Sequence, residues 1–172
     1  NGINLLPFIE NRGKRKLFRK NLGISDSNIV ILFCGRFEHV KGILEFAEAA
    51  RKLLLHFLNI EILIVGEGSL KQKVYELLEG HQRAHLFGWQ SSDILHQFYL
   101  SSDIFAIPSR FEGLPITILE AMASTLHILY TPVGSLEETL VDYPFKTLIK
   151  ESTMEEIYDG LVRIVNNNDF TP

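Results

Sequence analysis

FEGLPITILEAMA, residues 111–123, sets Glu112 and Glu120 eight positions apart, with Gly113 and Pro115 between them. The preceding SSDIFAIPSR (101–110) reads as a polar start, a short apolar strand around Ile104–Ile107, and a loop. The residues after Pro115 have the apolar spacing of a buried helix. Pro115 is predicted as its first residue, where a missing N–H costs nothing. Glu112 then falls in the loop at the carboxyl end of a strand, and Glu120 between one and two turns into a helix. In an open α/β sheet this crevice is where ligands bind. Carboxylates on either side of a helix N-terminus suit a ligand that carries hydroxyls and phosphate: the hydroxyls bond the carboxylates, and the phosphate takes the free backbone N–H groups. Glu120 stands among Ile118, Leu119, Ala121 and Met122, and a buried carboxylate needs partners.

Outward from this stretch the chain alternates two periodicities. Apolar, β-rich runs occur at 29–34, 60–65, 84–87, 104–107, 126–130 and 145–149, with helical patterns at about 41–57, 69–79, 92–100, 115–124, 135–141 and 153–166. A βαβα order demands a parallel sheet with helices on both faces. Right-handed crossovers restrict it to a Rossmann-like α/β arrangement.

The 172 residues suit one domain. Apolar residues make up 46% and charged residues 22%, enough for a full core. The net charge of −4 argues against a general nucleic-acid binder. Cys34 is the single cysteine and reads as a core residue in a reducing compartment, so the protein is expected in the cytoplasm. No apolar run reaches the roughly 18 residues that span a bilayer. No signal peptide is read, although the abrupt start leaves room for upstream residues.

Arg36 follows the strand at 29–34 and Lys41 stands five positions later, before the next helix. Both can point into the crevice above the sheet. A helix N-terminus disfavours cations, so cations there suggest that an anion is expected. No D-x-D occurs, and none of the pairs among the six histidines (39, 56, 81, 85, 96, 127) has strong zinc spacing. No metal ligand is therefore predicted, and His81 and His85 read as surface or loop residues. Gly66-Glu67-Gly68 is a weak G-x-G signal, often only a tight turn. Trp89 could stack on a ring, but a lone Trp more often packs. The basic run RGKRKLFRK (12–20) reads as a solvated helix, with an anionic membrane surface as its second reading.

FEGLPITILEAMA resembles the E-x7-E signature of retaining GT-B glycosyltransferases. Four further segments fall in the order that family shows: NGIN (1–4), FCGRFEHVKG (33–42), ILIVGEGSL (62–70) and LFGWQSSDIL (86–95). The resemblance covers nearly the whole chain. It implies a C-terminal, donor-binding GT-B domain over 1–172, with 1–27 as linker and leading helix, and an N-terminal acceptor domain elsewhere. It implies a metal-independent retaining enzyme with no cofactor, moving a hexosyl unit from a UDP- or GDP-sugar to a glycan or lipid-linked acceptor. The isolated domain is expected to be inactive.

The resemblance also implies roles. Arg36 and Lys41 bind the donor diphosphate and, with Glu112, serve catalysis. Glu120 takes the ribose, Gln90 the nucleobase through its main chain, and Gly35 and Gly66 border the pocket. Gly113, Leu114, Pro115, Ile116 and Thr117 complete the donor site. The chain departs from the family pattern after the signature. Ser124 to His127 replace a Gly and a Pro, and Thr125 lacks glycine's ease at a left-handed helix end. The loop Val133 to Glu137 keeps one glycine and loses a second, which puts a contact with the partner domain in doubt. Two other readings stand: a non-enzymatic nucleotide-sugar-binding module, and half of a nucleotide-sugar epimerase, against which the E-x7-E pattern argues.

Overall fold

The computed structural model describes residues 2–167. Two short helices, α1 (Leu6–Glu10) and α2 (Arg15–Asn21), lead into β1 (Ile29–Cys34). Then come α3 (Ile43–His56), β2 (Ile60–Val65), α4 (Lys71–Leu78), β3 (Ala84–Phe87), α5 (Ser92–Ser101) and β4 (Ile104–Ile107). The chain finishes with α6 (Ile116–Ala123), β5 (His127–Tyr130), α7 (Leu136–Thr139), β6 (Lys146–Leu148) and α8 (Met154–Asn167).

All five strand pairings are parallel, in the order β3-β2-β1-β4-β5-β6. Strands buried on both faces read as continuous apolar runs, which is why IVILFC and IEILIV were legible. One apolar cluster joins Ile31 and Ile62 to Phe46 and Leu53 of α3, Val74 of α4 and Leu161 of α8. The other joins Val30 and Phe105 to Phe8 of α1, Tyr99 of α5, Ile118 of α6 and Leu136 of α7. The predicted Rossmann-like α/β sheet with helices on both faces is thus observed. Strand order reverses between β1 and β4, and ligands bind such sheets outside the carboxyl ends at that point.

Several expectations shift. Pro115 precedes α6 as its cap, with φ −73° and ψ 130°, so Ile116 is the first helical residue. The pattern at 135–141 yields only the four residues of α7, and β6 is shorter than 145–149. The basic run is not simply a solvated helix. Arg19 is buried and donates to Asp103 Oδ2 at 2.7 Å and to the carbonyls of Ser101, Asp26 and Asn28. Arg15 pairs with the same carboxylate. Asp103 in turn accepts the Val30 N–H at 2.8 Å, so the two arginines tie α2 to the amino-terminal edge of β1 and β4. His85 is likewise not a free surface residue: on β3 it meets Glu61 of β2 at 2.8 Å.

Candidate functional site

The carboxyl edge of the sheet holds two adjoining hollows that share Cys34, Gly35 and Arg36. The first, about 460 Å³, lies over the β1–β4 switch point and is also lined by Lys41, Ser109, Glu112, Pro115, Ile116 and Thr117. The second, about 380 Å³, is lined on its far side by Gly66, Glu67, Trp89 and Gln90. Nine of the residues picked from the sequence therefore meet around one crevice. Gly113, Leu114 and Glu120 line neither hollow.

Two loops at the crevice pack backbone against backbone. A Cβ on Gly66 (φ +147°) would stand 3.0 Å from the Gly35 carbonyl carbon and closer still to its oxygen. The G-x-G turn is therefore a packing requirement that brings the β2 loop against the β1 loop. Trp89 does not pack into the core: it is 74% exposed, at the mouth of the second hollow. The Gln90 amide folds back onto the Gly88 carbonyl at 3.4 Å.

Charge is arranged asymmetrically. Arg36 is exposed, and its guanidinium makes no hydrogen bond or ion pair among the described residues. Lys41 donates to Glu112 Oε1 at 2.7 Å, and the Ser109 hydroxyl donates to the same oxygen at 2.6 Å. Glu112 lies in the loop before α6, as foreseen, and is only 6% exposed, so this loop carboxylate is enclosed and partnered. Beneath the crevice, burial pushes the Glu120 carboxyl above the usual range, and the nearby Tyr99 hydroxyl acts in the opposite direction. Tyr99 is fully buried, and its hydroxyl lies close to Glu120 and Cys34 without a well-formed hydrogen bond among the described residues. Burial also raises the Cys34 thiol to about 12, which keeps it protonated. Cys34 is not a plain core residue, since it is half-buried and floors both hollows.

At the start of α6 Ile116 and Thr117 line the first hollow and their N–H groups bond no backbone carbonyl among the described residues, while Ile118 N–H already bonds the Pro115 carbonyl. Unpaired N–H groups at a helix start favour an anion. The crevice thus offers an anion a free guanidinium and a helix start, and offers hydroxyls a buried carboxylate. Ser109, Tyr99 and Cys34 were not singled out as site residues. They come from other segments, and only the adjacency of Ser109 to the signature could have signalled it.

The family model described as glycosyl transferases group 1 matches residues 14–171. The chain belongs to this family. An uncharacterized glycosyltransferase of Methanocaldococcus jannaschii is 33% identical over 99% of the chain and 45% of its own length. The UDP-Gal:alpha-D-GlcNAc-diphosphoundecaprenol alpha-1,3-galactosyltransferase of Escherichia coli is 29% identical over 97% of the chain and 44% of its own length. The chain spans less than half the length of these group 1 relatives. Its structural neighbours are GT-B glycosyltransferases. Sucrose-phosphate synthase of Thermosynechococcus elongatus superposes with a TM-score of 0.79 at 21% identity, covering 96% of this chain and 42% of that one. The C-terminal domain of a group 1 family protein (LpcC) of Francisella tularensis does so with a TM-score of 0.75 at 23% identity, covering 90% and 83%. Among the described residues no helix is long and apolar enough to cross a membrane.

Proposed function

We propose that this chain is the donor-binding, C-terminal domain of a retaining, metal-independent glycosyltransferase that moves a hexosyl unit from a UDP- or GDP-sugar to a glycan or lipid-linked acceptor. The observation that carries this reading is the meeting of Arg36, Lys41, Glu112 and the α6 N-terminus around one hollow at the switch point. The acceptor site and the rest of the catalytic apparatus belong to an N-terminal GT-B domain, so this domain alone does not transfer sugar.

A departing nucleoside diphosphate gains negative charge as the glycosidic bond breaks. Cations and N–H dipoles fixed beside it lower that barrier. Arg36 can grip a phosphate with two bonds, and Lys41 acts as a point charge. These groups supply the charge that a divalent ion supplies elsewhere. Glu112 takes a hydroxyl of the transferred sugar, and the backbone from Gly113 to Ile116 takes the remaining hydroxyls and the β-phosphate. Glu120 takes the ribose and the Gln90 backbone the base, next to Gly66. The Lys41–Glu112 pair joins the phosphate and sugar ends of this site: a diphosphate takes up the charge of Lys41 as a sugar hydroxyl takes a lone pair of Glu112. The lipid-linked acceptor named for the Escherichia coli relative supports a cytoplasmic enzyme with peripheral contact at the inner face of the membrane. The exposed Leu6, Ile9 and Leu17 beside Arg12, Lys16 and Lys20 suit such contact.

Calorimetry with UDP and GDP, with and without EDTA, tests the donor reading. Binding of one of them that survives EDTA is expected. A strict requirement for a divalent ion overturns metal independence, and binding of neither overturns the donor site.

A further inference from the structure

The loop between β5 and α7, residues 131–135, lies outside the signature and lines neither hollow. It holds the signature loop at three points. The Thr131 hydroxyl, on a side chain only 2% exposed, donates to the Ser109 carbonyl. The Ser135 hydroxyl donates to the Gly113 carbonyl at 2.7 Å, and the Ser135 N–H to the same oxygen at 3.4 Å. Gly134, at φ +58°, packs directly under the Glu112 peptide: a Cβ there would stand 2.7 Å from the Glu112 carbonyl carbon and closer still to its oxygen. These contacts fix the backbone on both sides of Glu112. The Ser109 hydroxyl, whose own carbonyl Thr131 holds, fixes its side chain.

A carboxylate on a loop ordinarily samples several rotamers, and each must be given up when a ligand binds. Here neighbouring bonds hold the carboxylate in one position without a ligand. A binding group is most effective when neighbouring contacts hold it within a fraction of an ångström of its working position.

We propose that the β5–α7 loop is the device that positions Glu112 for the transferred sugar, with Thr131, Gly134 and Ser135 as positioning residues. This rests on the reading of Glu112 as the sugar contact. The loop that keeps one glycine and loses a second thus bonds the signature loop through Ser135.

Two measurements on the 172-residue chain test the proposal. A solved group 1 C-terminal domain, standing alone, supports working with this domain by itself. The first is amide hydrogen exchange. Ser135→Ala is expected to speed exchange at residues 111–114 several-fold, Ser135→Thr to leave it unchanged, and Gly134→Ala to speed it more. The second is calorimetry with UDP-glucose against UDP and GDP-mannose against GDP. Ser135→Ala is expected to lose about tenfold of the affinity that the sugar adds, the scale of one hydrogen bond. Its affinity for the bare diphosphate should be retained, and Ser135→Thr should restore the sugar's share. Unchanged exchange at 111–114 in both Ser135→Ala and Gly134→Ala overturns the clamp. So do equal losses with sugar-bearing and bare nucleotides. If exchange responds as expected but the unaltered chain binds none of the four nucleotides, the donor reading falls, and the link between this loop and a sugar falls with it.

Discussion

Glu120 is a carboxylate in a place that disfavours charge. Burial raises its carboxyl above the ordinary range, so the fold prefers it protonated. The stabilisation tied to that proton is complete below the ordinary glutamate range and is lost as pH rises through the raised value. Glu120→Gln removes the titration. Its melting temperature should therefore gain on the unaltered chain between pH 4 and pH 7.5, and should stay close to it at the acid end. The same variant should weaken nucleoside diphosphate binding about tenfold, the scale of one lost hydrogen bond. Melting curves at the two pH values and one titration check both parts. Unchanged affinity would leave Glu120 as a packing residue. The spacing of Glu112 and Glu120 was legible because both lie in one short segment. Their supports were not: Tyr99 and Thr131 arrive from other elements, and sequence spacing carries no signal for contacts made through the fold.

At the scale of elements, the central strands β1, β2 and β4 were legible to the residue, because this parallel sheet buries both of their faces. Ends were less so. Nothing in the local pattern announces that α7 stops after four residues or that Arg19 is drawn inward by Asp103. Removing one partner from a buried ion pair costs about 3–5 kcal/mol, so Arg19 belongs to the frame of the domain although its neighbours look like a basic surface. The end of α6 shows the opposite case, a strain foreseen in sequence and present in structure. Leu126 N–H bonds the Ala121 carbonyl and Thr125 N–H the Met122 carbonyl, which places Thr125 at the left-handed closing position, with φ +57°. A β-branched residue is out of place there, and left-handed backbone costs about 1–2 kcal/mol for residues other than glycine. Glycine gives back part of that through its freer unfolded chain. Thr125→Gly is expected to raise the melting temperature by about 2–4 °C, the shift that about 1 kcal/mol produces in a domain of this size. A lower melting temperature in a thermal scan would show that the threonine is held there by something worth more than the strain.

At the scale of the whole molecule, the crevice follows from topology. The reversal between β1 and β4 leaves their carboxyl-end loops splayed, and those loops carry Arg36, Lys41 and Glu112. The two ends of the crevice should then be separable by experiment. If Glu120 serves the nucleotide and Glu112 the sugar, Glu112→Ala in the full-length enzyme will cut turnover far more than it weakens affinity for the bare nucleoside diphosphate. Turnover depends on contacts made to the sugar as its bond breaks, and the bare diphosphate makes none of them. Lys41 sharpens the comparison. It is paired with Glu112 at 2.7 Å, so removing the carboxylate releases a cation toward the phosphates. Affinity for the diphosphate should hold steady or rise slightly while turnover collapses. Steady-state turnover with the nucleotide sugar, set against calorimetric affinity for the diphosphate, measures the two arms. Equal losses in both would move Glu112 onto the nucleotide. A product of inverted anomeric configuration would discard the proposed retaining mechanism, because retention requires the acceptor to enter on the face the diphosphate leaves, which the proposal sets beside Arg36 and the α6 N-terminus.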